Sequence, residues 1–132
     1  MAEAGNTYPV AVINSNEDIV ESIRLILEDA GILSISGHVV DFKKGRADLT
    51  AFLKDYNPQV IVYDIAPPYE ENWQFLQLVK DAQQAQGRQF VLTTTNKAVL
   101  ERLVGQTDAI EIIGKPFDLD EIVTAVKKKL EA

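Results

Sequence analysis

The chain has no cysteine and a single histidine, His38, among its 132 residues. A disulfide scaffold, a thiolate nucleophile and a zinc ribbon are excluded together, as is any centre that needs two imidazoles. Basic side chains are in deficit, 13 against 20 acidic ones, leaving a formal charge of −7. Such a surface repels phosphate backbones and anionic lipid, so neither nucleic acid nor a membrane is an expected partner. No apolar run approaches the roughly 18 residues of a membrane span, and the N-terminus lacks the basic-then-apolar build of a signal peptide. The expected location is therefore cytoplasmic. With only 7 glycines and 5 prolines, the chain has no low-complexity segment, no linker and no repeat. What remains is 46% hydrophobic and 25% charged, a globular rather than a disordered mixture. The length suits one domain, with a core over 8–130 and no output domain after Leu130.

Two periods alternate along the chain. Short apolar runs at 8–13, 35–42, 59–65, 89–95 and 109–113 have the look of buried strands. Between them lie segments of helical period. Ser15-Asn16-Glu17-Asp18 supplies cap chemistry and early acidic charge, after which Ile19, Ile23, Ile26, Leu27 and Ala30 share one face and Gly31 stops the helix. Leu49, Phe52, Leu53 and Tyr56 mark a second helix, halted before Asn57-Pro58. Trp73, Phe75, Leu76, Leu78 and Val79 belong to a third that ends near Gly87, and 97–104 is a short fourth. In the last, Asp118 with Glu121 reads as a capping box ahead of Ile122, Val126 and Leu130. Lys127, Lys128 and Lys129 lie at its negative end. Five nearly all-apolar strands alternating with five helices predict an α/β fold: a doubly wound five-stranded parallel sheet with helices on both faces. Its site should lie at the carboxyl ends of the strands.

Asp64 ends the third strand, where a carboxylate beside the sheet is costly unless paired. The cation that suits it is Lys115, at the end of the fifth strand and ahead of Pro116; Thr93, Thr94 and Thr95 offer hydroxyls at the end of the fourth. The order Asp, Thr, Lys on strands three, four and five, spaced 29 and 22 residues apart if the hydroxyl is Thr93, is a specific combination. With Asn57-Pro58-Gln59-Val60-Ile61-Val62-Tyr63-Asp64-Ile65, Pro68 and Gly114-Lys115-Pro116-Phe117, it resembles the receiver domain of two-component response regulators. The likeness runs from Pro9 to Leu130 and implies the (βα)5, flavodoxin-like topology. Asn72-Trp73-Gln74-Phe75-Leu76 looks like the family's Gly-led helix start, with Asn in the place of Gly.

The resemblance implies a role for each strand end. Asp64 would accept a phosphoryl group from a histidine kinase or phosphotransfer protein, Lys115 would neutralise phosphoryl oxygens, and the Thr93 hydroxyl would close onto the phosphate. A one-residue slip exchanges Thr93 for Thr94. The chemistry implied for the chain itself is self-phosphorylation from a phosphodonor and autodephosphorylation at Asp64. Magnesium would be held by Asp64, by the Ala66 backbone carbonyl and by an acidic pair after the first strand. That pair is missing: Asn14 and Ser15 stand in its place, and Glu17 and Asp18 read as helix caps. The Asn14 side-chain oxygen can still be a ligand, so magnesium binding is expected to be weak and dispensable, and Asp64 to pair directly with Lys115. Three residues before Lys115, where the family often carries a switch Tyr or Phe, the chain has Ile112. These departures suit an alternative, a pseudo-receiver that binds a protein partner regardless of phosphorylation. A flavin carrier would need a Ser/Thr/Gly phosphate loop where Asn14–Asp18 has no glycine and two acids, and Gly114-Lys115-Pro116 is not a P-loop.

Overall fold

The computed structural model describes residues 9–14, 17–38, 49–81, 87–105, 107 and 110–131. Ser15, part of the expected second strand (39–42) and the side chain of His38 lie outside the described residues. Five strands form one parallel sheet: β1 (Val10–Asn14), β2 (Ser34–His38), β3 (Val60–Ile65), β4 (Gln89–Thr94) and β5 (Ile110–Gly114). Their order is β2-β1-β3-β4-β5. Among the described residues five helices accompany them, four between strands and one after β5: α1 (Glu17–Asp29), α2 (Leu49–Tyr56), α3 (Tyr69–Asp81), α4 (Lys97–Val104) and α5 (Leu119–Leu130). The chain starts at a central strand, moves to one edge and returns, so β1 and β3 are neighbours and form the switch point in strand order.

Strand alternation sorts the apolar side chains into two layers. Ile61, Tyr63, Ile65, Phe90 and Leu92 pack with Leu53 of α2, Trp73 and Leu76 of α3, and Leu100 of α4. Val60, Val62 and Val91 pack on the opposite face with Val20, Ile23 and Leu27 of α1 and Ile122, Ala125 and Val126 of α5. Both faces of the central strands are therefore dry, the reason their sequences are continuous apolar runs rather than alternating ones. The stripe on α1 is centred on Val20, Ile23 and Leu27; Ile19, Ile26 and Ala30, which the helical period placed on it, are only half-buried at its margins. An eight-residue helix such as α4 is too short to persist alone. Fully buried Leu100 ties it to the sheet, a contribution of about 2 kcal/mol.

Where they are described, the helix ends follow the expected chemistry with one exception; the Ser15-Asn16 cap and the stretch 82–86 before Gly87 lie outside the described residues. Gly31, at φ 81°, closes α1 by donating its N–H to the Glu28 carbonyl at 2.9 Å. Asn96 caps α4, its Oδ1 accepting from the Val99 N–H at 3.2 Å. At α5 the Asp118 N–H donates to Glu121 Oε1 at 3.1 Å. The exception is α3. The Asn72-led start is corrected: the helix begins at Tyr69, directly after Pro67-Pro68, with Glu70 and Glu71 in its first turn. Asn72 lies inside the helix, its backbone N–H donating to the Pro68 carbonyl at 3.1 Å. Its backbone there is helical; among the described residues the non-glycine with positive φ is Asn57, at 49°. No helix among the described residues is long and apolar enough to cross a membrane.

Candidate functional site

The carboxyl ends of β1, β3, β4 and β5 gather the residues singled out above. Asp64 is the fifth residue of β3 and pairs in register with Thr93 of β4. Along β3, Val60 and Val62 pack toward α1 and α5, and Asp64 continues that alternation beyond the apolar layer. Thr93 follows Val91 in the same way. The two side chains therefore share a face, and the Thr93 hydroxyl donates to Asp64 Oδ1 at 2.6 Å. Thr94 belongs to the other alternation. It is fully buried, and its hydroxyl accepts from the Asn96 N–H at 3.3 Å, bracing the approach to α4. The hydroxyl that reaches the carboxylate is Thr93.

Lys115 follows β5, and its N–H donates to the Thr94 carbonyl at 2.8 Å, extending the β4–β5 pairing by one residue. Its Nζ stands 2.6 Å from Asp64 Oδ1. The expected direct ion pair across the strand ends is thus present. Both contacts converge on Oδ1, one from an ammonium and one from a hydroxyl, and neither uses Oδ2. The Asp64 side chain is only 8% exposed and that of Lys115 25%. This asymmetry matters: the cation can turn to water, whereas the carboxylate cannot. The charge of Asp64 also adds to burial in pushing the Tyr63 phenol above its ordinary pKa, burial being the larger cause.

Asn14 ends β1 one residue beyond the Ile13–Tyr63 pair, which brings its backbone beside Asp64. Its side chain is buried, with 4% of the residue exposed. Ala66 continues β3, and its carbonyl accepts a hydrogen bond from Asn72 Nδ2 at 2.7 Å. Among the described residues, the oxygen-bearing groups that the ends of β1 and β3 bring to this corner are the Asp64 carboxylate, the Asn14 amide and the Ala66 carbonyl. Hard oxygens of these kinds suit magnesium, which commonly takes one or two carboxylates and completes its shell with water and phosphate oxygen. Among the described residues there is no group of three His, Cys, Asp or Glu able to hold a metal.

Two contacts at the rim were not anticipated from sequence. One is Asn72 on the Ala66 carbonyl. The other joins the loops: the Tyr69 hydroxyl, at the start of α3, lies 2.6 Å from Thr95 Oγ1 beyond β4. A Pro-Pro step followed by Tyr-Glu-Glu is itself a helix-start signal, and would have placed both Tyr69 and Asn72 in the first turn. Ile112 is half-buried and packs against the layer that holds Leu92, Trp73 and Leu100.

No family model matches the chain. Among curated proteins, it is 27% identical over 120 residues to response regulator Rre1 of Synechocystis sp., covering 90% of this chain and 50% of that protein. It is 32% identical over 100 residues to the transcriptional regulatory protein HprR of Escherichia coli, covering 74% and 43% respectively. The chain thus spans about half the length, or less, of these relatives. Solved structures share the fold at lower identity. A signal receiver domain of a histidine kinase from Clostridium thermocellum superposes with a TM-score of 0.75 at 18% identity, over 96% of this chain and 98% of that one. The chemotaxis protein CheY4 of Vibrio cholerae gives 0.66 at 20%, over 90% and 95%. A bacterial signalling switch described as transiently phosphorylated gives 0.69 at 23%, over 95% and 96%.

Proposed function

We infer that this chain, a receiver domain of the response-regulator family, accepts a phosphoryl group on Asp64 from a histidine kinase or a phosphotransfer protein. The observation that carries the reading is the pair of contacts on Asp64 Oδ1, from Lys115 Nζ and from the Thr93 hydroxyl, each at 2.6 Å. Phosphoryl transfer asks little covalent work of a protein beyond a placed nucleophile and donors for the charge on the moving oxygens. With Oδ1 held twice, Oδ2 is the attacking oxygen. It forms the new O–P bond as the P–N bond of the phosphohistidine breaks, and the departing imidazole takes up a proton. The product is an acyl phosphate on Asp64. Lys115, a quarter exposed, is free to follow the new negative charge, and Thr93 needs only to redirect its proton.

Magnesium, when bound, would neutralise charge on the phosphoryl oxygens, held by Asp64, the Asn14 amide oxygen and the Ala66 carbonyl. Because one carboxylate serves this corner, the dependence on magnesium is weak. Lys115 supplies the fixed positive charge whether or not the ion is there.

The test is incubation with acetyl phosphate, with and without magnesium, read by intact mass. The parent should gain one phosphoryl group and Asp64→Asn none. A parent that stays unlabelled in both conditions, or an Asp64→Asn chain that still gains the mass, overturns the reading. A second reading is favoured by the single carboxylate and by Ile112, which cannot swing an aromatic ring as Thr93 moves. It makes the chain a phosphorylation-independent interaction module, and it predicts partner binding equal in the parent and in Asp64→Asn.

A further inference from the structure

We propose that Asn72 is a specificity-determining residue that protects this site from divalent cations by occupying the Ala66 carbonyl. The inference rests on the reading of Asp64, Asn14 and Ala66 as the oxygens a metal would use, and it concerns the resting protein rather than the transfer step. Its basis is a match between acceptors and donors. Of the two acceptors at the end of β3, Asp64 Oδ1 takes Lys115 Nζ at 2.6 Å and the Thr93 hydroxyl at 2.6 Å, and the Ala66 carbonyl takes Asn72 Nδ2 at 2.7 Å. The protein's own donors therefore engage both residues, leaving an approaching cation Asp64 Oδ2 but contesting the Ala66 carbonyl.

The Asn72 contact is built rather than casual. A carbonyl can only accept, so the atom facing Ala66 must be the amide nitrogen, which fixes the orientation of the side chain by chemistry. The backbone that carries it is pinned in the first turn of α3 by the Asn72 N–H to Pro68 carbonyl bond, and the next residue, Trp73, is buried. Pro67 and Pro68 have no N–H, so they offer Ala66 no backbone donor across the loop. A magnesium ion entering here must share the Ala66 carbonyl with a short neutral hydrogen bond or displace it, and must compete with an ammonium for the charge of Asp64. Magnesium also demands a near-ideal arrangement of ligands, which a carbonyl already aimed at an amide does not provide.

Removing the amide should therefore open the site. Asn72→Ala is compatible with a helix interior and leaves Asp64, Lys115 and Thr93 in place. Calorimetric titration of the unphosphorylated chain with magnesium chloride should show affinity tighter than the parent by about three- to tenfold, the range expected from one neutral hydrogen bond. Asn72→Asp, which exchanges the donor for a second carboxylate, should tighten it by at least about tenfold. As a second readout, the rise in thermal midpoint on adding magnesium should be larger in both variants than in the parent. Thr124→Ala, on the exposed side of α5, should behave as the parent. Magnesium affinity in Asn72→Ala and Asn72→Asp equal to or weaker than the parent overturns the proposal. Acetyl phosphate labelling distinguishes the two claims. Tightened magnesium binding without labelling of Asp64 removes the acceptor role and leaves Asn72 as the gate, whereas labelling with unchanged magnesium affinity removes the gate alone.

Discussion

Replacing Lys115 by Met should destabilise the protein more than replacing both Lys115 and Asp64. At 2.6 Å, the attraction between unit charges is about 2 kcal/mol in bulk water and about 6 kcal/mol at an effective dielectric of 20. Against it stands the cost of taking the Asp64 carboxylate, 8% exposed, out of water. Lys115→Met leaves that carboxylate with the Thr93 hydroxyl as its remaining donor, so the desolvation is no longer offset by a charge. A loss of about 2–3 kcal/mol is expected, between the values for surface pairs and for fully buried ones. Asp64→Asn keeps the volume and an oxygen for Thr93, and Lys115, a quarter exposed, turns its ammonium to solvent; about 1 kcal/mol is expected. The double change leaves no charge behind and should also cost about 1 kcal/mol, which makes the coupling energy roughly 2 kcal/mol in magnitude. Urea denaturation of the four proteins at pH near 7, in chelator, measures it. A coupling energy near zero, or Lys115→Met milder than Asp64→Asn, would refute the reasoning.

Asn14→Asp places a second carboxylate beside Asp64. It should lower the thermal midpoint in chelator through like-charge repulsion and tighten magnesium binding about tenfold, both readable in one calorimetric series. Thr93→Val removes the hydroxyl from a site only 2% exposed and should cost about 1–2 kcal/mol in urea denaturation, with a smaller cost when Asp64 is already Asn. Tyr63 gives a test at alkaline pH. Its phenol is raised in the folded state, so its contribution is complete below the unfolded value near 10 and is lost as pH rises toward the folded value. The unfolded chain releases this proton first, and stability should fall by up to about 1.4 kcal/mol per pH unit from this one group. Tyr63→Phe should flatten that decline in urea denaturation between about pH 10 and 12, and an unchanged slope would count against the assignment.

Much of the architecture follows from local composition. The five strands are runs dense in Val and Ile because a parallel sheet covered on both faces must be apolar on both faces, and that requirement is written residue by residue. Helix stops at Gly31 and before Asn57-Pro58, and the cap at Asp118, are legible for the same reason: the groups that satisfy a helix end are neighbours in sequence. Asp64 and Lys115 could also be picked out early, since a carboxylate and a lysine at the ends of apolar strands need each other more than either needs the loop around it.

What the sequence left open depended on which face a side chain takes and on contacts across loops. Thr93 and Thr94 are chemically identical neighbours, and a one-residue change of register exchanges their faces. Only the pairing of Asp64 with Thr93 in the folded sheet assigns one hydroxyl to the carboxylate and the other to the entry of α4. The start of α3 is set at Tyr69, after Pro67-Pro68, rather than at Asn72, because the fold uses Asn72 inside the first turn for its side chain. The Tyr69–Thr95 contact joins the start of α3 to the residue after β4, 26 positions apart, and no local period encodes it. Residue types alone pointed to a parallel sheet covered on both faces and to the charges that had to meet. The tertiary structure alone decided which oxygen of Asp64 is held, by which two donors, and that the carbonyl near it accepts from Asn72, because hydrogen-bond geometry at strand ends is set by the register and packing of three strands and the helix after β3 together.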